Sequence, residues 1–151
     1  MKKSQRISGL VAALDLPLQS AHDPRYLGYF ACFNDGLYYE AHDVLEDLWL
    51  HDKHGPDGAF FKGLIQLAGA FVHLKKHRLR PDHQKDRGRL APASRLFTLA
   101  RRNLLPFAPQ HRDLDVAKVC RLCDRLSLAL ASSKFRENPL STAHPPRIDL
   151  A

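Results

Sequence analysis

The segment from residue 59 to residue 77 constrains the fold most, because apolar side chains fall on nearly every side of the helix that it predicts. They are Phe60, Phe61, Leu64, Ile65, Leu67, Ala68, Phe71, Val72 and Leu74. A helix with so little polar surface is stable in water only when other elements surround it. The sequence therefore predicts that this helix lies at the centre of a helical bundle.

Further helices are predicted from the spacing of apolar residues and from turn signals. They cover about residues 4–16, 23–33, 37–53, 90–104 and 113–132. No segment has a convincing strand pattern, and a chain of 151 residues has the size of one domain. We predict an all-α fold, a single-domain bundle of about five helices at 23–132. A segment with a short helix (1–22) precedes it, and an extended, proline-rich tail (133–151) follows it.

The predicted helices at about 37–53 and 59–77 are joined by only about five residues, which favours a central antiparallel pair. In such a pair, polar stripes on the two helices face each other. The stripes are His42, Glu46 and Trp49 on the first helix, and Lys62, Gln66, Gly69 and His73 on the second. This register places Trp49 opposite Lys62 and Glu46 near Gln66, whereas Asp43 points toward solvent. Gly69 leaves room beside His42.

Three interpretations of these facing stripes remain open. A buried hydrogen-bond network of His42, Glu46 and Gln66 could fix the register of the pair. Alternatively, the groove could bind a small molecule, with Glu46 making His42 a stronger general base. A metal site is the third interpretation, because His42 with Glu46 and His73 with His77 each have the i, i+4 spacing that presents two ligands on one helical face.

Two sequence blocks carry a family resemblance. The first runs Phe33-Asn34-Asp35-Gly36-Leu37-Tyr38-Tyr39-Glu40-Ala41-His42-Asp43-Val44-Leu45-Glu46-Asp47-Leu48-Trp49, and the second runs Phe60-Phe61-Lys62-Gly63-Leu64-Ile65-Gln66-Leu67-Ala68-Gly69-Ala70. Over roughly residues 26–103 the chain resembles a prokaryotic helical family catalogued as domain of unknown function 309.

The resemblance implies a small all-helical fold and a polar motif, but no settled activity. It makes Glu40, His42, Glu46, Trp49 and Gln66 candidate ligand-binding positions. The stripe on the second helix adds His73. The sequence departs from the family pattern at Asp43, where Glu is expected, and in a longer basic loop at 78–89.

Charge is distributed unevenly along the chain, whose net charge is +7. Residues 35–52 carry six acids and no Lys or Arg, whereas residues 75–102 carry ten bases and two acids. Such polarity can steer a charged partner. It can equally reflect two helices of one bundle that attract each other.

The three cysteines, Cys32, Cys120 and Cys123, are too few for a disulfide framework and favour a reducing compartment. We therefore expect a cytoplasmic protein without a membrane span. Cys120 and Cys123 lie on an apolar stripe and are expected to be buried.

The sequence defines no reaction and no cofactor. The first functional hypothesis is a small-molecule or metal-binding groove between the paired helices. The second is a non-enzymatic interaction module that binds an acidic protein partner or nucleic acid through segment 75–102, although this segment lacks interleaved aromatic residues for base stacking. A homo-oligomer is compatible with either hypothesis.

Overall fold

The computed structural model describes residues 1–17 and 19–151, most of which lie in seven helices. These are α1 (Lys3–Ala13), α2 (Pro24–Asn34), α3 (Tyr38–Asp52), α4 (Gly58–Leu79), α5 (Leu90–Leu104), α6 (Val116–Ser132) and the one-turn α7 (Pro139–Thr142). The predicted all-α bundle is confirmed, and helices α2 to α6 are the five that were predicted within 23–132.

Helix α4 is the central element, as its sequence predicts. It packs against α3 on one side and against α5 on another, while α2 packs on α3 and α6 packs on α5. At Gly63 the backbones of α4 and α5 come close together, since a Cβ atom built there would lie 2.7 Å from Leu104 Cγ and 3.2 Å from the Ala100 carbonyl oxygen. Only glycine fits this contact without displacing its neighbours.

Local sequence signals define several helix ends. Asp23 caps α2 by accepting a hydrogen bond from the Arg25 amide over 2.8 Å. Gly36 adopts a φ of 76° in the turn that follows α2, where a Cβ atom would be strained. Asp115 caps α6 through the Lys118 amide. Capping side chains therefore mark the starts of α2 and α6, whereas α3, α4 and α5 begin without one.

A short hairpin lies between α5 and α6, where no strand was predicted, and its second half replaces the first residues of the helix predicted at 113–132. Strands β1 (Gln110–His111) and β2 (Leu114–Asp115) pair antiparallel. Arg112 and Asp113 form its turn with φ values of 48° and 62°, and Tyr26 donates a hydrogen bond to the Arg112 carbonyl. The hairpin lacks the usual sequence signal, because neither turn residue is glycine or asparagine.

The segment 133–151, which its prolines predict to be extended, contains α7 and packs against the bundle. Leu140 and Ile148 are both buried. The Asn34 side chain accepts from the Ile148 amide over 2.8 Å and donates to the Ile148 carbonyl over 3.0 Å. These two hydrogen bonds fix the tail to the end of α2.

Candidate functional site

The main polar cluster on α3 lies where α1 packs on it. Lys3 Nζ donates to Glu46 Oε1 over 2.7 Å and lies 3.6 Å from Asp43 Oδ1, while Arg6 donates to Asp43 Oδ2 over 3.0 Å. His42 Nδ1 is 3.2 Å from Asp43 Oδ1, and its Nε2 is 3.8 Å from Glu46 Oε2. His42, Asp43 and Glu46 are called the α3 cluster below. It combines one imidazole and two carboxylates with two cations from α1.

Asp43 is only 3% exposed, so its predicted position toward solvent is wrong. The helical-wheel reading failed because α1 covers a face of α3 that the bundle helices alone would leave open. Burial by itself would raise the pKa of the Asp43 carboxyl, but hydrogen bonds from Arg6 and His42 and the charge of Lys3 outweigh it. The pKa therefore lies below its usual value, and Asp43 is ionised at neutral pH.

Glu40 lies in the first turn of α3 and is half-buried. Within the described residues it forms no hydrogen bond or ion pair with the α3 cluster. Its charge acts instead on α2, because burial, with the charges of Glu40 and Asp35, raises the pKa of the Cys32 thiol to about 11. Of the five family-motif positions, the structure thus brings His42 and Glu46 together and leaves Glu40 apart from them.

The polar stripe on α4 faces α5 and not the α3 cluster. Gln66 accepts a hydrogen bond from Asn103 over 2.7 Å, so the predicted network of His42, Glu46 and Gln66 is not formed. A Cβ atom at Gly69 would lie 3.4 Å from Leu96 of α5, which removes the space expected beside His42. The predicted register considered only the pair α3 and α4, whereas α4 also packs closely on α5.

Trp49 borders a shallow depression at the junction of α3 and α4. The depression has a volume of about 340 Å³, and Lys62 and Asn103 also line it. The expected proximity of Trp49 and Lys62 is therefore present. Trp49 is half-buried and packs against the core from the edge. Its indole joins the core to this depression and lies outside the α3 cluster.

The four residues considered as metal ligands lie in three different surroundings. His42 and Glu46 belong to the α3 cluster, His73 Nδ1 is 3.0 Å from Arg89 Nη1, and His77 Nδ1 is 3.0 Å from Asn138 Nδ2. Burial lowers the pKa of His73, and the Arg89 charge lowers it further. Across residues 1–17 and 19–151, no three His, Cys, Asp or Glu side chains are placed to hold a metal ion.

A second polar cluster, which the sequence analysis missed, joins the start of α4 to the β1–β2 hairpin. Asp57 Oδ1 is 2.8 Å from His111 Nε2, and Arg112 forms a charge-assisted hydrogen bond with Asp57 Oδ2. Arg112 also lies over the Phe61 ring, 5.4 Å from its centroid. In the sequence Asp57 stands between proline and glycine, as a turn residue does. Its partners are more than fifty positions away. No local signal identifies this cluster.

The acidic and basic segments do not neutralise each other, as one interpretation of the charge pattern suggested. Three acids of α3 are paired elsewhere: Asp43 and Glu46 with Arg6 and Lys3 of α1, and Asp47 with Arg25 of α2 over 2.9 Å. In the basic segment, Arg80 and Arg89 both bind Asp86. The bases Lys2, Lys3 and Arg6 at the start of the chain are a signal that could have indicated this arrangement, but the sequence analysis did not use it.

None of the helices in the described part of the chain combines the length and the apolar character needed to cross a membrane.

The predicted burial of Cys120 and Cys123 is confirmed at 5% and 1% exposure. Burial is also the main cause that raises the pKa of the Cys123 thiol to about 12.

Fold and site together define a class, an all-α helical protein with a cation-paired imidazole and carboxylate cluster on one of its bundle helices. Residues 26–81 match the family described as Domain of unknown function (DUF309), and the resemblance predicted from the two sequence blocks is confirmed over this segment. Residues 82–103 of the expected span lie beyond the match. No curated protein and no solved structure matches the chain. The family description carries no activity.

Proposed function

We propose that the protein binds a small organic cation, with ammonium or guanidinium groups, at the α3 cluster, and that α1 covers this site in the free protein. One observation carries the proposal. The Lys3 ammonium and the Arg6 guanidinium occupy the cluster at 2.7 and 3.0 Å from its carboxylates. These intramolecular contacts support a ligand with the same ammonium or guanidinium chemistry. In this proposal residues 1–22 act as a cover, residues 23–132 form the binding bundle, and residues 133–151 close its other end.

The contacts of α1 make it a displaceable cover. Among its eleven residues only Ile7 is buried. The side chains of Lys3 and Arg6 are 46% and 51% exposed, so dissolved cations can reach their ion pairs. The Lys3–Glu46 pair, whose two partners are both accessible to water, contributes about 0–1 kcal/mol. A free cation can therefore compete for the carboxylates. Asp43 cannot remain without a partner, because a buried and unpaired carboxylate is strongly destabilising.

A groove near α3 is bordered by Asp47, the residue that follows Glu46 in the sequence. It lies between α1, the following linker and the start of α2, with a volume of about 690 Å³. Val11, Leu14 and Leu27 give it apolar walls, and Asp47 of α3 borders it. Because Val11 and Leu14 belong to α1 and its C-terminal cap, a ligand can use this groove only if it displaces the Lys3 and Arg6 side chains while α1 stays packed through Ile7.

The geometry supports binding and assigns no reaction. A general base of the predicted kind requires Glu46 to accept a hydrogen bond from His42, and the 3.8 Å between Oε2 and Nε2 is too long for one. The positions of the side chains also favour an organic cation over a metal ion, since His42, Asp43 and Glu46 are not placed to hold a metal ion together. The metal interpretation becomes an outcome of the test.

Agmatine is a suitable probe, because it carries one guanidinium and one ammonium group like the Arg6 and Lys3 pair. Binding is measured by titration calorimetry at low salt. We expect the Lys3→Ala/Arg6→Ala variant to bind agmatine at least tenfold more tightly than the natural protein, because the competing tethered cations are gone. The control variant Lys85→Ala/Arg87→Ala loses the same charge from an exposed loop and should bind as the natural protein does.

Replacing cluster residues in that uncovered variant tests the assignment of the site. Glu46→Gln should weaken agmatine binding at least tenfold, and Asp43→Asn should do the same, provided that circular dichroism shows both variants folded. Absence of agmatine binding in the uncovered variant, or binding unchanged by Glu46→Gln, would refute the proposal. Binding of Mn²⁺ or Zn²⁺ that excludes agmatine would instead identify a metal site.

A cytoplasmic location is also part of the proposal. It is supported by three cysteines that are free and buried, an arrangement typical of proteins from reducing compartments. Measuring the redox state of these thiols in protein isolated from its native cells tests it. A disulfide-linked pair would contradict the proposal.

A further inference from the structure

A cavity separate from the α3 cluster lies between α6 and the segment 146–149 of the tail. Its volume is about 460 Å³, which is within the range of small-molecule sites. The lining is mainly apolar, with Leu114, Val119, Leu122 and Ile148 buried beneath it. This cavity shares no residue with the α3 cluster.

The rim of the cavity is strongly basic. Lys118, Arg121 and Arg125 follow one another at i, i+3 and i+7, so they project from one face of α6. None of these three side chains has a carboxylate within ion-pair distance in the part of the chain that the structure describes. Two acids border the cavity, but Asp115 accepts from the Lys118 amide and Asp149 is paired with Arg147. With the four bases Lys118, Arg121, Arg125 and Arg147 against these two carboxylates, the rim keeps a net charge of +2.

The tail wall of the cavity is fixed before any ligand arrives. Asn34 exchanges two hydrogen bonds with the Ile148 backbone, and the Ala151 amide donates to the Asp113 carbonyl over 2.8 Å. These contacts anchor the wall on both sides of Asp149. A preformed apolar cavity has little ordering cost on binding, which favours affinity for a small ligand.

From the apolar floor, the basic rim and the fixed wall, we infer that this cavity binds a small organic anion with an apolar body, such as a medium-chain carboxylate. The carboxylate meets Arg121 and Arg125 through charge-assisted hydrogen bonds, and the hydrocarbon part covers Val119, Leu122 and Ile148. This assignment is independent of the cation site on α3. Neither site requires the other to be occupied.

Decanoate is the probe, titrated below its micellar concentration and followed by calorimetry. Decyltrimethylammonium has the same chain with the opposite charge, and acetate has the same charge without the chain. We expect decanoate to bind at least tenfold more tightly than either. Equal binding of decyltrimethylammonium would show that the surface binds any apolar chain whatever its charge. Equal binding of acetate would show that electrostatic attraction alone accounts for the binding. Either result, or no binding of decanoate, overturns the inference.

Charge reversal on the rim locates the site. Arg121→Glu and Arg125→Glu should each weaken decanoate binding at least tenfold, while Arg87→Glu, an equal charge change in the exposed loop before α5, should leave it unchanged. Both rim residues are exposed, so the fold should survive either change. Binding that falls equally in all three variants would reflect net charge alone and would contradict the assignment.

Discussion

Replacing Gly63 and Gly69 with alanine is expected to change stability in opposite directions, although both glycines lie inside α4. Alanine stabilises a helix interior by about 0.5–1 kcal/mol relative to glycine. At Gly69 the new methyl group would lie 3.4 Å from Leu96 Cδ1, an ordinary contact, so this gain should be retained. Gly69→Ala should therefore be more stable than the natural protein.

At Gly63 the same methyl group would meet Leu104 Cγ at 2.7 Å and the Ala100 carbonyl oxygen at 3.2 Å. Neither atom is the free end of a flexible side chain, so α4 and α5 must move apart. Overpacking of this kind costs about 1–3 kcal/mol. After subtraction of the helical gain, Gly63→Ala should lose up to about 2.5 kcal/mol.

Urea unfolding followed by circular dichroism and by the fluorescence of Trp49, the single tryptophan, measures both effects. In thermal unfolding, a change of 1 kcal/mol corresponds to a shift of about 2–4 °C for a chain of this size. Gly69→Ala serves as the matched control for Gly63→Ala. If both variants are stabilised, the close approach of α4 and α5 is wrong, and the reasoning about the central helix is refuted.

Two further predictions concern ionisable groups. Burial by itself would raise the pKa of Asp57, but hydrogen bonds from Arg112 and His111 outweigh it and lower that pKa. The contribution of Asp57 to the free energy of unfolding is therefore complete above about pH 4. It is lost as the pH falls through the lowered pKa. Asp57→Asn should cost about 1–3 kcal/mol near pH 5, and urea titrations should show this difference shrinking below about pH 4; a difference independent of pH would contradict the assignment. The Cys123 thiol, with a pKa of about 12 and 1% exposure, should react with Ellman's reagent at pH 8 only as fast as the protein unfolds, whereas rapid reaction in native conditions would show an open site.

The five bundle helices could be predicted from sequence because each carries a local signal, whereas the one-turn α7 in the predicted extended tail was missed. Apolar spacing marked α3 to α6, and Asp23 before Pro24 marked the start of α2. The hairpin at 110–115 could not be predicted, because contacts with Tyr26 and Asp57, distant in sequence, hold its turn. Tertiary contacts here override weak local preference.

The candidate site was predicted only in part. His42 and Glu46 share a cluster as their i, i+4 spacing indicates, since spacing on one helix is a local property. The partners of Gln66 and Asp43 belong to α5 and α1. The prediction considered only α3 and α4, so it could not identify those partners. Sequence spacing thus identified the residues on one helix but not the neighbours that complete the site.

The placement of two half-exposed cations of α1 over the α3 cluster also determines how the proposed site should respond to ionic strength. Salt screens the attraction between the carboxylates and α1, and it screens the attraction between the same carboxylates and a free cation to a similar degree. Because one attraction must be broken to form the other, the two effects largely cancel. The natural protein would then bind its ligand with nearly constant affinity over a wide range of salt concentration. Without Lys3 and Arg6 the same site would lose affinity steadily as salt is added.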